Sequence, residues 1–210
     1  MSAASIRDQG AGVVLVISAP SGTGKSSVVR RIGGLRFSIS YTTRARRDDE
    51  EDGVDYHFVE LERFHEMRER GEFLEWAEVH GHCYGTASAV VQAILDAGDD
   101  VLLDVDVAGA ASLRQALPGA ILVFLLPPSY EKLRARLEGR GTAAPDLSRR
   151  LCNARAEMEQ ARTFDYLVVN DVLEEATAAL EAIILAERSR RERQMAAWER
   201  SFGTFPEAGD

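Results

Sequence analysis

A short run of small residues directly follows an apolar segment near the start of the chain, and this pairing limits the possible folds more than any other feature. The apolar segment covers residues 13–17, and the next stretch, Ala-Pro-Ser-Gly-Thr-Gly-Lys-Ser, covers residues 19–26. A helix-compatible stretch at 27–32 comes after it. The order strand, glycine-rich turn and helix is typical of a phosphate-binding loop, in which backbone N–H groups converge on one anion at a helix N-terminus.

The chemistry of this loop predicts that the chain uses a nucleoside triphosphate. Lys25 can reach the β- and γ-phosphates, and the Ser26 hydroxyl can ligate Mg²⁺. Ala19 stands where the usual pattern begins with glycine, which alanine can replace if its φ is negative. An ordinary glycine-rich turn is the alternative for these eight residues taken alone. The predicted ATP-binding residues of this segment are Ala19, Pro20, Ser21, Gly22, Thr23, Gly24, Lys25, Ser26 and Ser27.

The composition is that of a globular protein, and it excludes some classes of partner. A chain of 210 residues with 45% hydrophobic and 28% charged residues can bury one full core. The net charge of −9 argues against broad binding of nucleic acid or of anionic membranes. Because no apolar run has the length of a signal-peptide core or a membrane span, the expected location is the cytoplasm. Cys83 and Cys152 are expected to be free thiols.

Strand-like runs alternate with helical patterns, which predicts the α/β fold class with a parallel sheet flanked by helices. The strand-like runs lie at 13–18, 101–107, 121–126 and 166–169, and the clearest helical patterns at 87–97, 129–138 and 174–199. Asp104 and Asp106 fall in the second run. They stand near the end of this strand, where open α/β sheets bind their ligands.

The pattern also predicts the domain organisation. Segment 38–97 has shorter, more polar and more aromatic elements, so we expect an insert outside the sheet, with 13–37 and 98–200 forming the core. The polar stretch 139–150, which carries glycine and proline, is expected to be a lid loop within the core. Residues 1–12 and 201–210 are expected to be tails.

A second phosphate site is predicted in the insert. Segment 37–47 ends with Arg44, Arg46 and Arg47, and Tyr56 follows shortly after. Arginine forks and tyrosine hydroxyls suit a phosphate group. A solvated charge patch, balanced by the acidic run 48–52, is the alternative for this segment alone.

Taken together, the motifs resemble those of the guanylate kinase family from about residue 13 to about residue 200. Besides the phosphate loop, the motifs are Ser-x-Ser-x-Thr-Thr-Arg-x-x-Arg at 38–47, Gly-x-x-Tyr-x-Phe at 53–58, Phe-Leu-Glu-Trp-Ala at 73–77, Tyr-Gly-Thr at 84–86, Leu-Asp-Val-Asp-Val-Ala-Gly at 103–109 and Asn-Asp at 170–171. Each motif is weak alone, but their order and spacing are specific.

The resemblance implies a P-loop fold and a role for each matching residue. The GMP phosphate would be held by Ser40, Arg44, Arg47, Tyr56 and Tyr84, and the guanine read by Glu75, Thr86 and Asp106. Asp104 would lie at the Mg²⁺-nucleotide site, and Asn170 would contact the adenine side of ATP. Lid arginines Arg136, Arg140 and Arg150 would clamp the phosphates after closure and, with Lys25, act in catalysis.

The chemistry of guanine agrees with this assignment. One carboxylate, that of Glu75, can accept both N1–H and the exocyclic amine, while the Thr86 hydroxyl can donate to O6. Adenine would leave such a carboxylate unpaired. The lid is one residue shorter than the family pattern, which makes Arg149 the alternative to Arg150; the spacing to 156–158 favours Arg150.

The function predicted from the sequence is transfer of the γ-phosphoryl group of ATP to GMP, with Mg²⁺, to give ADP and GDP. Two alternatives stay open. One is a non-catalytic guanylate-kinase-like module that recognises phosphopeptides, against which Lys25 and the lid arginines argue. The other is a ribose 1,5-bisphosphate phosphokinase, which should not require the guanine-reading residues. Assembly into a homo-oligomer is also left open.

Overall fold

The structure, a computed structural model, describes residues 12–79, 81–139 and 144–203. Its strands are β1 (Val14–Ser18), β2 (Arg36–Phe37), β3 (Tyr41–Thr42), β4 (His57–Phe58), β5 (Phe73–Val79), β6 (His82–Ala87), β7 (Val101–Asp104), β8 (Ile121–Leu126) and β9 (Tyr166–Val169). Its helices are α1 (Lys25–Val29), α2 (Leu61–Glu69), α3 (Ser88–Asp96), α4 (Val107–Ala116), α5 (Tyr130–Glu138), α6 (Ala144–Glu159), α7 (Leu173–Arg188) and α8 (Arg191–Phe202). A 3-10 helix, Gln160–Thr163, joins α6 to β9.

Five strands form a parallel sheet in the order β2-β7-β1-β8-β9. The central strand, β1, is buried along its whole length, as its continuous apolar run predicts. One face of the sheet packs against a cluster that includes Leu113 of α4, and the other face packs against Leu180 and Ile184 of α7. The predicted α/β class with a helix-flanked parallel sheet is confirmed.

A second, four-stranded sheet lies within the segment that the sequence sets apart as an insert. Its order is β4-β3-β6-β5, and β6 is antiparallel to both of its neighbours. A separate apolar cluster supports it, built from Phe64, Met67, Phe73 and Cys83. The sheet therefore has its own small core, and it presents β5 and β6 to the ligand cleft described below.

Residues 144–150, expected to be part of a loop, form the first turns of α6. Pro145 is tolerated there because the N–H it lacks has no helical acceptor in the first turn. Leu147 and Leu151 pack with Leu133 and Leu137 of α5, so an apolar stripe at helical spacing holds this end of α6 in place.

The C-terminal helical pattern is interrupted where the sequence predicts one continuous helix. α7 ends at Arg188 and α8 begins at Arg191. Between them, the Ser189 hydroxyl donates to the Leu185 carbonyl at 2.8 Å, and Arg190 has an extended ψ of 138°. Within the described ranges, no helix is both long and apolar enough to cross a membrane.

The run expected to be a strand to residue 107 also ends earlier, at Asp104. Asp106 caps α4 instead, because its carboxylate accepts from the backbone N–H of Gly109 at 2.7 Å. A local side-chain cap thus starts a helix where hydrophobicity alone predicts more strand.

Candidate active site

A cleft of about 370 Å³ is lined by the residues that follow β1 and β7 and by residues of the second sheet. Most of the predicted phosphate loop and several predicted acceptor-side residues share this one space. The lining consists of Ala19, Pro20, Ser21, Gly22, Gly24, Lys25, Ser26, Ser27, Ser40, Tyr56, Glu75, Ala77, Val79, Tyr84, Asp104, Val105, Asp106 and Glu157. The other predicted residues with described positions, which are Thr23, Arg44, Arg47, Thr86, Arg136, Arg150 and Asn170, lie outside this lining.

The phosphate loop depends on two glycines with left-handed backbone. Gly22 has φ 92° and Gly24 has φ 95°, a region that other residues rarely adopt. A Cβ on Gly22 would lie 2.8 Å from the Leu137 side chain, and a Cβ on Gly24 would lie 2.8 Å from the Asn170 amide nitrogen. Conformation and close packing thus both require glycine at these two positions.

Lys25 is held at the end of β7. Its ammonium donates to the Val105 carbonyl at 2.9 Å and forms an ion pair with the Asp104 carboxylate. Both charged groups are largely shielded, with side chains 22% and 19% exposed. The lysine predicted to meet the donor phosphates is therefore already oriented at the cleft wall.

Arg136 and Asn170 brace the phosphate loop from behind. The Thr23 carbonyl accepts from Arg136 Nη1 at 3.0 Å and from Asn170 Nδ2 at 2.8 Å. The other Arg136 nitrogen, Nη2, donates to the Asn170 carbonyl at 3.0 Å. The sequence predicts that Arg136 reaches the phosphates on closure, whereas in the structure its guanidinium donates to backbone carbonyls.

On the acceptor side, Arg44 forms an ion pair with Glu50 at 2.7 Å, and its guanidinium lies 5.5 Å from the centroid of the Tyr56 ring. Arg47 is 69% exposed, but its backbone N–H donates to Glu50 at 3.0 Å. Burial, together with the negative charge of Asp104, raises the pKa of Tyr56 to about 12. The Tyr56 hydroxyl is therefore a neutral hydrogen-bond donor at physiological pH.

Glu75 is the buried carboxylate of the cleft, with 7% of the residue exposed. Its Oε1 accepts a short 2.6 Å hydrogen bond from the Thr86 hydroxyl. Burial raises the pKa of Glu75 to about 7, and the nearby charge of Asp106 adds to this rise, while the Thr86 bond opposes it. The hydroxyl proton of Thr86 is directed at Glu75, whereas the sequence expectation directed it at a purine O6.

The two candidate lid arginines occupy different environments on α6. Arg150 Nη2 donates to the Ser21 hydroxyl of the phosphate loop at 2.7 Å. Arg149 is 69% exposed and pairs with Asp146 one helical turn away. The remaining predicted lid arginine, Arg140, lies outside the described residues.

Two acidic side chains near the cleft were not singled out from the sequence. Glu157 of α6 contributes to the lining, and the Glu50 carboxylate contacts Arg44 and Arg47 of the second phosphate segment. Glu50 stands inside an acidic run, where it looks like one of several balancing charges. Only the folded loop distinguishes it from its neighbours.

The donor atoms in the cleft suit a metal ion that is carried by phosphates. Ser26 and Asp104 offer hard oxygen ligands on the lining. The described residues contain no group of three or more His, Cys, Asp or Glu side chains able to hold a metal by themselves. Mg²⁺ is commonly bound in this manner, by one or two protein oxygens together with substrate phosphates and water.

Comparison with known proteins identifies the family. The family model described as guanylate kinase matches residues 12–187. The chain belongs to the guanylate kinase family. A guanylate kinase of Syntrophotalea carbinolica is 50% identical over 187 residues, which cover 87% of this chain and 89% of the relative. A guanylate kinase of Neisseria gonorrhoeae is 49% identical over 189 residues, covering 88% and 92%.

A solved structure has the same architecture. The crystal structure of guanylate kinase from Anaplasma phagocytophilum aligns with a TM-score of 0.77 at 31% identity, covering 94% of this chain and 98% of that one. This guanylate kinase fold is the P-loop type that the sequence predicts. The match to the family model extends across both sheets, since residues 12–187 include β1 to β9.

Proposed function

We propose that the chain is an ATP:GMP phosphotransferase, which moves the γ-phosphoryl group of ATP to GMP and gives ADP and GDP. One observation carries this proposal beyond family membership. The buried carboxylate of Glu75 opens into the same cleft as the phosphate loop that contains Lys25. A carboxylate suited to a purine base and a loop suited to a triphosphate lie in one cleft. This arrangement supports phosphoryl transfer to a purine nucleotide.

Glu75 selects the acceptor base in this proposal. Guanine presents N1–H and its exocyclic amine side by side, so an ionised carboxylate can accept from both. Adenine would present the N1 lone pair to the same oxygen atoms and leave the buried charge unpaired. Thr86 fixes the Glu75 carboxylate through its 2.6 Å hydrogen bond, and Asp106 completes the set.

Cationic and hydroxyl groups bring two anions together. The acceptor phosphate is assigned to Ser40, Arg44, Arg47, Tyr56 and Tyr84. Donor phosphates are assigned to residues 19–27, with Lys25 supplying the charge, and the adenine side to Asn170. Arg136, Arg140 and Arg150 stabilise the charge on the transferring group, with Arg136 also bracing the loop. Such fixed positive groups lower the barrier because they need little reorganisation during transfer.

Mg²⁺ fits this site, and Ser26 and Asp104 are the residues that would hold it. When bound, the ion supplies positive charge to the phosphate oxygens of ATP. The protein residues align the GMP phosphate oxygen with the γ-phosphorus and exclude water. No covalent enzyme intermediate is required. Because ATP and GMP are cytoplasmic metabolites, we place the enzyme in the cytoplasm.

The test is an ADP-release assay with GMP, AMP, UMP and ribose 1,5-bisphosphate as separate acceptors, with and without Mg²⁺. We expect GMP to be used far better than the other three. Preference for ribose 1,5-bisphosphate would identify a sugar-phosphate kinase instead. No turnover with any acceptor, together with binding of a phosphopeptide, would indicate a non-catalytic module.

A further inference from the structure

One acidic side chain organises the arginine segment of the acceptor site. The Glu50 carboxylate accepts from Arg44 Nη2 at 2.7 Å and from Arg44 Nη1 at 3.0 Å, so the two side chains form a two-bond fork. The same carboxylate accepts the backbone N–H of Arg47 at 3.0 Å. The Glu50 side chain is 11% exposed, and the Arg44 side chain is 13% exposed. The Glu50 carboxylate thus holds Arg44 through its guanidinium and Arg47 through its backbone N–H.

The Arg44 guanidinium is fixed on its other sides as well. Nη1 also donates to the Ala45 carbonyl at 2.8 Å. The group lies 5.5 Å from the centroid of the Tyr56 ring and 5.8 Å from that of Phe58. Aromatic faces attract a cation and restrict its rotation. The rings restrict the tilt of the guanidinium, and its orientation within its own plane is set by the two bonds to Glu50 together with the bond to the Ala45 carbonyl.

This orientation decides which N–H groups point toward a ligand. A guanidinium has five N–H donors in a rigid fork. Glu50 takes one hydrogen from each terminal nitrogen, which leaves the edge formed by Nε and the outer hydrogen of Nη2. The Tyr84 hydroxyl lies near Arg44, and hydrogen bonds to Glu50 and then to Tyr84 raise the pKa of Arg44. Tyr56, whose ring lies 5.5 Å from the Arg44 guanidinium, and Tyr84 both line the cleft, so Arg44 borders its acceptor side.

We propose that Glu50 is a positioning residue for the acceptor phosphate, which acts by turning the free edge of Arg44 toward the cleft and by holding the backbone at Arg47. The inference rests on the proposed function, because it assumes that these arginines meet the phosphate of GMP. The Arg44 hydrogen bond lowers the pKa of Glu50, so the carboxylate is ionised at neutral pH. Two charge-assisted hydrogen bonds from one guanidinium are geometrically specific, which a single contact is not.

The neighbouring acid offers a matched control. Glu51 is next in sequence and exposed, and its side chain has no hydrogen bond or ion pair with any described residue. Glu50→Gln and Glu51→Gln each remove one negative charge from the same loop. Any effect of net charge on an anionic substrate is therefore common to both variants, and only the first removes the fork.

The experiment compares the two variants in steady-state kinetics and in competitive inhibition by guanosine. For Glu50→Gln we expect the KM for GMP to rise by about tenfold or more, since one partner of a shielded charge pair is lost. The KM for ATP should change by less than about twofold. The inhibition constant of guanosine, which has no phosphate, should also stay within about twofold, as should all three constants in Glu51→Gln.

A double variant tests whether Glu50 acts through Arg44. In an Arg44→Ala background, Glu50→Gln should raise the KM for GMP by a much smaller factor than it does in the wild type. If Glu50→Gln does not fold, Glu50→Asp, which keeps the charge but shortens the side chain, should still raise this KM several-fold.

Three results would overturn the proposal: an unchanged KM for GMP in folded Glu50→Gln or Glu50→Asp, equal weakening of GMP and guanosine, or full additivity with Arg44→Ala. Each of these results can be distinguished from failure of the proposed function. That failure is visible earlier, as a wild-type enzyme that does not phosphorylate GMP.

Discussion

Glu75 is a buried ionisable residue whose proposed role in recognising the acceptor base lowers the stability of the folded protein. Glu75 is nearly inaccessible, and its pKa is raised from 4.5 to about 7, chiefly by burial. The folded protein therefore holds a proton on Glu75 at pH values where the unfolded chain has already released it. Stability is lost as the pH rises from about 4.5 through about 7, because folding then requires an unfavourable charge in the cleft.

Replacing Glu75 with glutamine should consequently stabilise the protein at alkaline pH. Glutamine has nearly the same shape and carries no charge, so the variant avoids the burial penalty. At pH 8 we expect the free energy of unfolding to rise by about 1–3 kcal/mol, given that one pKa unit corresponds to about 1.4 kcal/mol. At pH 5 the gain should largely vanish. Thermal unfolding of wild type and variant at both pH values checks this, and a lower Tm of the variant at pH 8 would contradict it.

The same group should make the binding of GMP depend on pH. Guanine donates two N–H groups, so it requires the ionised carboxylate, and protonated Glu75 competes with binding. With a pKa of about 7 in the free enzyme, the KM for GMP should rise about tenfold from pH 8 to pH 6.

Glu75→Gln is the control for this pH dependence. Its remaining dependence reports the titration of the phosphate of GMP itself, whose second pKa is about 6. Identical pH profiles in wild type and variant would remove Glu75 as the cause. The variant should also use GMP at least about tenfold less well than wild type does, because one acceptor replaces two.

At the scale of elements, α5 and α6 link the lid region to the phosphate loop. Leu137 of α5 packs against Gly22, and the same leucine shares an apolar cluster with Leu151 of α6. Arg150, one residue before Leu151, reaches Ser21 of the loop. The helical turn at this point therefore directs Arg150 toward the cleft, while Arg149 pairs with Asp146 at the surface.

Alanine substitutions of these adjacent arginines should have very different effects. Arg150→Ala should lower kcat strongly, by up to about 10³-fold, if this cation stabilises the transferring group. Arg149→Ala should change kcat by less than about threefold, because an exposed pair one turn apart contributes little. Single-turnover and steady-state measurements of both variants, with GMP affinity measured without ATP, check this. A strongly reduced kcat in Arg149→Ala, together with an unchanged kcat in Arg150→Ala, would show that Arg149 is the lid arginine and that the alignment is off by one residue.

The elements that sequence reasoning predicts best are those whose signal is local. The apolar runs that became β1, β8 and β9 and the N-capped α5 are read directly from pattern. The two-residue strands β2, β3 and β4 carry too few residues for a pattern, and their existence depends on partners distant in the chain. The break before α8 also escapes prediction, since charged and polar residues continue through it at helical spacing.

In the candidate site, too, residues with a local sequence signal are predicted, whereas contacts that depend on the folded chain are not. The phosphate-loop motif selects the loop residues, because phosphate binding needs those residue types, whereas Glu75 is selected through the resemblance to the guanylate kinase family. Hydrogen-bond partners are set by the folded neighbours, so the sequence indicates neither that Thr86 donates to Glu75 nor that Arg136 donates to the Thr23 carbonyl. The special place of Glu50 among five consecutive acids is invisible for the same reason.

At the scale of the whole molecule, the cleft joins two sheets with separate cores. The parallel sheet carries the phosphate loop, and the four-stranded sheet carries Glu75 and Tyr84. Arg30, at the end of α1, forms an ion pair at 3.0 Å with Asp55 of the loop that leads to β4. Apart from Asp106, which follows β7 of the parallel sheet, the residues assigned to the acceptor thus lie in a different half from the phosphate loop, although the overall net charge of −9 opposes both anionic substrates.

Substitutions in one half should therefore affect the use of one nucleotide and leave the binding of the other nearly unchanged. Lys25→Met should abolish detectable transfer and leave GMP binding within about threefold of wild type, since no acceptor contact changes. Arg47→Ala should raise the KM for GMP by about tenfold and leave the KM for ATP nearly unchanged. Titration of each nucleotide with each variant tests this separation. Equal weakening of both nucleotides by either substitution would show that the halves are not independent.

The path of the chain through the two sheets sets the order in which the molecule can fold. Val14 of β1 pairs with Val101, and Leu15 pairs with Ile121, so β1 has no strand partner until β7 has been synthesised. The four-stranded sheet, by contrast, draws all its strands from between Tyr41 and Ala87. Contacts between distant residues form slowly and follow local ones. The phosphate-binding loop is therefore synthesised well before the strands that flank β1, and it takes its shape only after those strands have paired with β1.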